Sequence, residues 1–350
     1  MNLETCPLVS IIINNYNYES FLQIAINSAL KQTYSNIEVV VVDDGSTDRS
    51  REIIESYGDH IIPVLKNNGG QASSLNTGVQ VSSGSILCFL DADDIFCSQK
   101  VEAIVNLFSE IGWRNKYILL NDFLQVIDQN EVPIKVDLVN EVLSDPGEWR
   151  FLSELGGKPV FFDGQLNQVS TPEQVYRFAA NYRFVPYLGV QTSGITMTKS
   201  LANKVFPLPE EGIRVSADVF LVKAASLYGT VYSTSNTLTK YRVHGSNNWF
   251  GRKNQTGFDE IKYFFSELNN FLNLKLVDLG KKPVFSYLDS MSAKGYYRSC
   301  FGFQSYKQLL DLSFKVLSWH VNSTTIHFFT KTTLLAIYFK FRCFLSTNKS

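Results

Sequence analysis

Ile86-Leu87-Cys88-Phe89-Leu90-Asp91-Ala92-Asp93-Asp94 runs five apolar residues into three carboxylates within four positions. Five apolar residues are too few for a buried helix and read as a buried strand. The acids then mark where the strand leaves the core. The same construction occurs twice upstream. Leu8-Val9-Ser10-Ile11-Ile12-Ile13 ends in Asn14-Asn15-Tyr16-Asn17, and the apolar run 37–42 ends in Asp43-Asp44-Gly45-Ser46. Between the first two, Leu22, Ala25, Ile26, Ala29 and Leu30 recur at helical spacing. Ser46, Thr47 and Asp48 are each suited to cap the helix after the second. Residues 61–65 read as a shorter strand, placed at an edge by Pro63, and Gly69-Gly70 breaks the chain before another helix. Strands alternating with helices predict an α/β fold: a mainly parallel central sheet flanked by helices, with right-handed crossovers. The three polar clusters then fall at the C-terminal ends of strands, where open α/β sheets bind ligands.

Bulk properties narrow the function. The chain has 350 residues, enough for a large core, and a net charge of -1, without the basic excess of a nucleic-acid binder. Five cysteines, an odd number without a C-x-x-C pair, argue against a disulfide framework or a zinc site. No basic segment followed by an apolar one stands at the N-terminus, so a cytoplasmic location is expected. The most apolar stretch, 326–345, is interrupted by Lys331, Lys340 and Arg342 and falls short of a spanning helix. It reads either as a surface helix at the inner face of a membrane, with segment 324–345 in the interface, or as a terminal helix packed on the domain.

Carboxylates crowded at one strand end repel unless a cation lies between them. Oxygen ligands without thiolates point to Mn²⁺ or Mg²⁺. If the chain stays extended, Asp91 and Asp93 share a face. The plain alternative is that Asp94 or Ser98 caps the next helix and the rest is solvated loop. Neither a Gly-x-Gly-x-x-Gly fingerprint nor a P-loop is present.

Four stretches together resemble family 2 glycosyltransferases. They are Val9 through Asn17, Val40-Val41-Val42-Asp43-Asp44-Gly45-Ser46-Thr47-Asp48, Asn68-Gly69-Gly70-Gln71-Ala72-Ser73-Ser74-Leu75-Asn76-Thr77-Gly78, and Phe89-Leu90-Asp91-Ala92-Asp93-Asp94. The resemblance covers roughly the first hundred residues, and its strength lies in the order and spacing of the four. It implies the GT-A fold, a Rossmann-like sheet, and inverting transfer from a nucleoside diphosphate sugar, with a UDP-sugar favoured. By that analogy Asn14, Asn15, Tyr16 and Asn17 line the nucleotide pocket, joined by Ser46, Asn68, Gly70, Asn76 and Ala92. Asp44 would hydrogen-bond the base with Asp43 behind it, Asp91 would hold ribose or sugar, and Asp93 would ligate the metal.

Later stretches resemble the family more loosely. Ser216-Ala217-Asp218 matches a helix start carrying the catalytic carboxylate, with Asp218 in the position of the general base. Tyr241-Arg242-Val243-His244-Gly245-Ser246-Asn247 resembles a loop whose histidine, here His244, meets metal or diphosphate. Thr192-Ser193-Gly194 resembles the loop beside donor sugar and acceptor, making Ser193 and Gly194 candidates there. Two departures stand out. Asn14 replaces a proline, and Leu75 replaces an arginine of the third motif. The absence of Gln-x-x-Arg-Trp argues for a non-processive enzyme.

The expected organisation is a nucleotide-sugar half over 1–125 and an acceptor half over 126–250, with an irregular insertion at 133–183. A helical region follows over 251–350, with helices near 261–274 and 306–317. The expected role is in polysaccharide biosynthesis of the cell envelope, with a glycan or lipid-linked acceptor. Two other classes compete. A nucleotidyltransferase would need a glycine-rich, basic N-terminal loop, and 14–17 lacks one. A non-catalytic nucleotide-sugar-binding scaffold would show no donor turnover.

Overall fold

The computed structural model describes residues 6–112, 115–134, 166–182, 185–211, 214–245, 247 and 258–285. Its first half alternates β1 (Val9–Asn15), α1 (Glu19–Leu30), β2 (Ile37–Asp43), α2 (Ser50–Glu55), β3 (Ile62–Leu65), α3 (Gln71–Val81) and β4 (Ile86–Asp91). These strands lie parallel in the order β3-β2-β1-β4. β1, β2 and β4 are buried almost throughout, which explains their unbroken apolar runs. β3 closes the edge, where Pro63 is tolerated.

The pleat divides the core in two. Ile11, Ile13, Val39 and Val41 pack with Leu22, Ala25, Ile26 and Ala29 of α1 and with the apolar side of α4 (Lys100–Ile111). Ile12, Leu87 and Phe89 face the other way, onto Ala72, Leu75 and Val79 of α3. That second core continues onto α5 (Pro172–Tyr182), α6 (Lys199–Val205), α7 (Ala217–Tyr228) and α8 (Phe258–Asp278).

Past β4 the sheet is mixed. A short β5 (Ile95–Phe96) is followed by β6 (Ile118–Ile127), β7 (Leu166–Ser170), β8 (Ile195–Thr198) and β9 (Thr230–Arg242). β8 runs antiparallel to both β4 and β6, β9 runs parallel to β6, and β5 and β7 lie antiparallel on β9. The reversal at β8 has a local cause. It starts from a 3-10 turn, Thr192–Gly194, already at the ligand edge of β4, so it enters the sheet from the opposite end.

The insertion is more regular than its sequence suggests. Within 133–183, β7 and α5 are formed, and residues 135–165 lie outside the described residues. The expected helix at 261–274 falls inside the longer α8, and the helix start expected at Ser216-Ala217-Asp218 is that of α7. The helix expected at 306–317 and the segment 324–345 lie outside the described residues. Among the described residues no helix is long and apolar enough to cross a membrane.

Candidate active site

Strand register assembles the crevice. Asn14 lies opposite Asp91, and Asn15 opposite Asp43. Asn14 Nδ2 donates to Asp91 Oδ1 at 2.8 Å, a bond that proline at this position could not make. Asn15 Nδ2 donates to Asp43 Oδ1 (2.9 Å) and lies 3.1 Å from Ser46 Oγ. Asp43 Oδ2 accepts from Ser46 N–H and Arg51 Nε. Asn17 joins the same turn, its N–H on Ser46 Oγ and its side-chain oxygen taking Thr47 N–H. Tyr16 is left 46% exposed, its ring open to a ligand. Gly45 is needed here: its φ is +78°, and a Cβ would sit 2.7 Å from the Asn68 nitrogen.

Asp44 is filled by its own protein. Oδ1 accepts from Lys66 Nζ (2.5 Å) and Gly69 N–H (2.9 Å), and Oδ2 from Asn68 Nδ2 (3.1 Å) and Gly70 N–H (2.7 Å). Four donors use the roughly four lone-pair sites of a carboxylate. A base contact at Asp44 therefore requires one of these partners to move, with Lys66 the long side chain among them. Asn76 turns away from the crevice and clamps the neighbouring loop, giving Nδ2 to the Leu208 carbonyl and Glu210 and taking Leu208 N–H on Oδ1.

After Asp91 the chain turns instead of staying extended: Asp94 N–H donates to the Asp91 carbonyl at 3.1 Å. Ala92 is buried in that turn, with its N–H on the Asn14 carbonyl. Ser193 secures the turn from the 3-10 side. Its Oγ accepts Asp91 N–H (3.0 Å) and donates to Asp94 Oδ2 (2.6 Å). Asp94 Oδ1 takes Arg242 N–H (2.8 Å). Asp94 is thus a buried brace, while α4 has Gln99 at its N-cap. Gly194 completes the buried 3-10 turn.

Burial, reinforced by the Asp93 carboxylate, pushes Asp91 up to about 7. The same causes hold Asp94 well above the usual carboxylate range. His244 Nε2 lies 3.0 Å from Asp93 Oδ2, beneath the rings of Tyr18 and Phe21. Asn247 supports this pair: its Oδ1 takes His244 N–H, and its Nδ2 reaches the Arg242 carbonyl and lies 3.4 Å from Asp93 Oδ2.

Asp218 stands in the first turn of α7, near enough to Asp91 for its charge to raise that residue. Part of its surface stays open, yet surrounding atoms desolvate the carboxyl and push it up. The Tyr187 hydroxyl, 2.9 Å from Asp218 Oδ2 and 2.6 Å from the Val190 carbonyl oxygen, pulls the other way. Gln71 lies between the two acids, 3.3 Å from Asp91 Oδ1, with its Oε1 on Ala217 N–H.

Sequence reading missed Gln71, Tyr187, Lys66 and Asn247 as site residues. Gln71 and Asn247 lie inside the quoted motifs, so their position was the available signal. Tyr187 sits in a stretch without periodicity and gave none.

One carboxylate oxygen and one imidazole nitrogen, from Asp93 and His244, can both ligate a divalent ion. Two donors adjacent on an octahedral ion with bonds of about 2.1 Å are about 3.0 Å apart. Asp93 Oδ2 and His244 Nε2 stand at that spacing, in hydrogen-bond contact with each other. Among the described residues no cage of three His, Cys, Asp or Glu side chains exists. Mg²⁺ is commonly held by one or two carboxylates completed by substrate phosphates and water, and Asp93 supplies one such carboxylate.

A family model described as glycosyl transferase family 2 matches residues 10–113. An uncharacterized glycosyltransferase of Nostoc sp. is 30% identical over 284 residues, covering 78% of this chain and 76% of that protein. Another, of Rickettsia prowazekii, is 42% identical over 123 residues, 35% of this chain and 38% of that one. The fold resembles that of S. aureus TarS 1-349 in complex with UDP, at a TM-score of 0.53 and 16% identity over 93% of this chain and 80% of that one. The same protein in complex with UDP-GlcNAc gives a TM-score of 0.55 at 15% identity, covering 94% and 88%. The chain belongs to the family 2 glycosyltransferases and has their GT-A architecture.

Proposed function

We propose that the chain moves a sugar from a UDP-sugar to a hydroxyl of a glycan or lipid-linked acceptor in one inverting displacement. The observation that carries this reading is the placing of Asp218 across the crevice from Asp91, with Gln71 between them. The UDP and UDP-GlcNAc complexes of the S. aureus structures support the choice of donor. Residues 1–125 would hold the nucleotide sugar and 126–250 the acceptor.

Asp218 takes the acceptor proton as general base while the hydroxyl oxygen attacks the anomeric carbon. Asp91, fixed by Asn14, orients the ribose or sugar hydroxyls. Asp93 and His244 would hold Mn²⁺ or Mg²⁺, which would supply positive charge against the departing diphosphate. Tyr16 and the 14–17 and 43–46 turns frame the nucleoside, and Lys66 yields Asp44 to the base. Transfer at the inner face of a membrane suits a lipid-linked acceptor.

Asp218→Asn separates binding from chemistry. The variant is expected to bind UDP as wild type does and to lose roughly 10²–10⁴-fold in turnover. Unchanged turnover would remove Asp218 as the base.

A further inference from the structure

Gln71 opens α3, directly after the Gly69-Gly70 pair. Its amide nitrogen lies 3.3 Å from Asp91 Oδ1 and 3.3 Å from Thr192 Oγ1. Its amide oxygen accepts Ala217 N–H at 3.1 Å. The orientation is determined, because swapping the two ends would set oxygen against the Asp91 carboxylate and nitrogen against an N–H donor. The backbone adds to the link. Gln71 N–H donates to the Arg214 carbonyl (3.1 Å), and the Arg214 guanidinium returns to Asn68 Oδ1 (2.6 Å). The segment entering α7 is therefore tied to the start of α3 at three points.

That segment needs holding. Ser216, at the N-cap of α7, has a φ of +62° and makes no side-chain cap hydrogen bond. A left-handed backbone is unfavourable for serine, and the first N–H groups of a helix lack partners within it. Gln71 Oε1 accepts the N–H of Ala217, the first residue of the helix. Asp218 is the next residue along.

We propose that Gln71 is a positioning residue for sugar transfer, one amide that holds the Asp218 helix at a set reach from Asp91. This rests on the reading of Asp91 as the donor-side acid and Asp218 as the base. Both ends of the reaction then hang from one side chain. The 66–70 loop that wraps Asp44 continues directly into it, so nucleotide binding and base placement are mechanically joined.

Two variants of the full chain separate the two ends of the amide. Gln71→Met keeps the volume and removes both hydrogen-bonding ends. Gln71→Glu keeps an acceptor for Ala217 N–H but sets a carboxylate against Asp91. Steady-state UDP release is measured from UDP-GlcNAc, UDP-glucose and UDP-galactose, with UDP binding and melting temperature beside it. Gln71→Met is expected to lose about 100-fold in kcat, the scale of a misplaced catalytic group, with UDP binding and melting temperature kept. Gln71→Glu is expected to raise the donor KM while keeping more of kcat. Wild-type kcat in Gln71→Met overturns the proposal. So does a joint fall of kcat, donor affinity and melting temperature in both variants, which would make Gln71 a helix cap only. A wild-type chain silent on UDP and all three sugars removes the functional reading, and this inference with it.

Discussion

As the proposed base, Asp218 would have to be ionised to accept a proton, and desolvation raises its carboxyl above its ordinary value. The acid limb of kcat should therefore lie above that of a solvated aspartate. Tyr187 opposes the shift through its hydroxyl. Removing it in Tyr187→Phe leaves only the backbone N–H groups of Asp218 and Val219 to oppose burial, so the limb should move to higher pH while the alkaline plateau is largely kept. A pH–rate profile decides this, and a limb that stays or moves down would contradict the role given to Tyr187. At this scale the sequence was informative about which residues gather and less so about what they touch. Asn14, Asp43, Asp91 and Asp93 declared themselves as polar groups at strand ends. That Asp44 is filled by Lys66, Asn68, Gly69 and Gly70 depends on how a loop folds back, which local pattern does not encode.

Two elements lock the site to the sheet. Lys100, at the start of α4, is fully buried and gives its ammonium to Asp122 of β6 (2.5 Å), Thr239 of β9 (2.6 Å) and the Ser193 carbonyl (2.8 Å). Lys100→Met should cost roughly 3–5 kcal/mol by leaving Asp122 buried without a counter-charge. Lys100→Met with Asp122→Leu should recover most of it. Urea unfolding of both variants tests this, and an undiminished single variant would show the pair to be dispensable. On the other face, α3 approaches β1 at Gly78, where a Cβ would lie 2.4 Å from Ile12 Cγ2. Gly78→Ala is expected to destabilise by about 1–3 kcal/mol through overpacking, read from the urea midpoint. Unbroken apolar runs made β1, β2 and β4 legible. β7, Leu-Asn-Gln-Val-Ser, is a half-exposed strand with no such run. The helix α5 did carry a sign. Thr171-Pro172-Glu173-Gln174 forms a reciprocal cap, with Thr171 N–H on Gln174 Oε1, and Pro172 occupies the first helical position.

Across the whole molecule, the candidate site is assembled from two differently built halves meeting at one sheet edge. The parallel half brings Asn14, Asp43 and Asp91 by repetition of a single motif. The mixed half brings Ser193, Asp218 and His244 from a 3-10 turn, a helix start and the end of β9, with no repeat to announce them. This is why the parallel half was readable as a pattern, whereas the mixed half needed the family resemblance. The reversal at β8 puts Ser193 against Asp91 and Asp94. We propose a metal-assisted nucleotide site at this junction. It is tested most directly by the thermal stability of wild type, Asp93→Ala and Asp218→Asn with UDP, with and without Mn²⁺. UDP at 100 times its dissociation constant should add roughly 2.7 kcal/mol. A Mn²⁺-dependent shift is expected in wild type and Asp218→Asn, and its loss in Asp93→Ala. No UDP shift in wild type, or an equal Mn²⁺-dependent shift in Asp93→Ala, would contradict it.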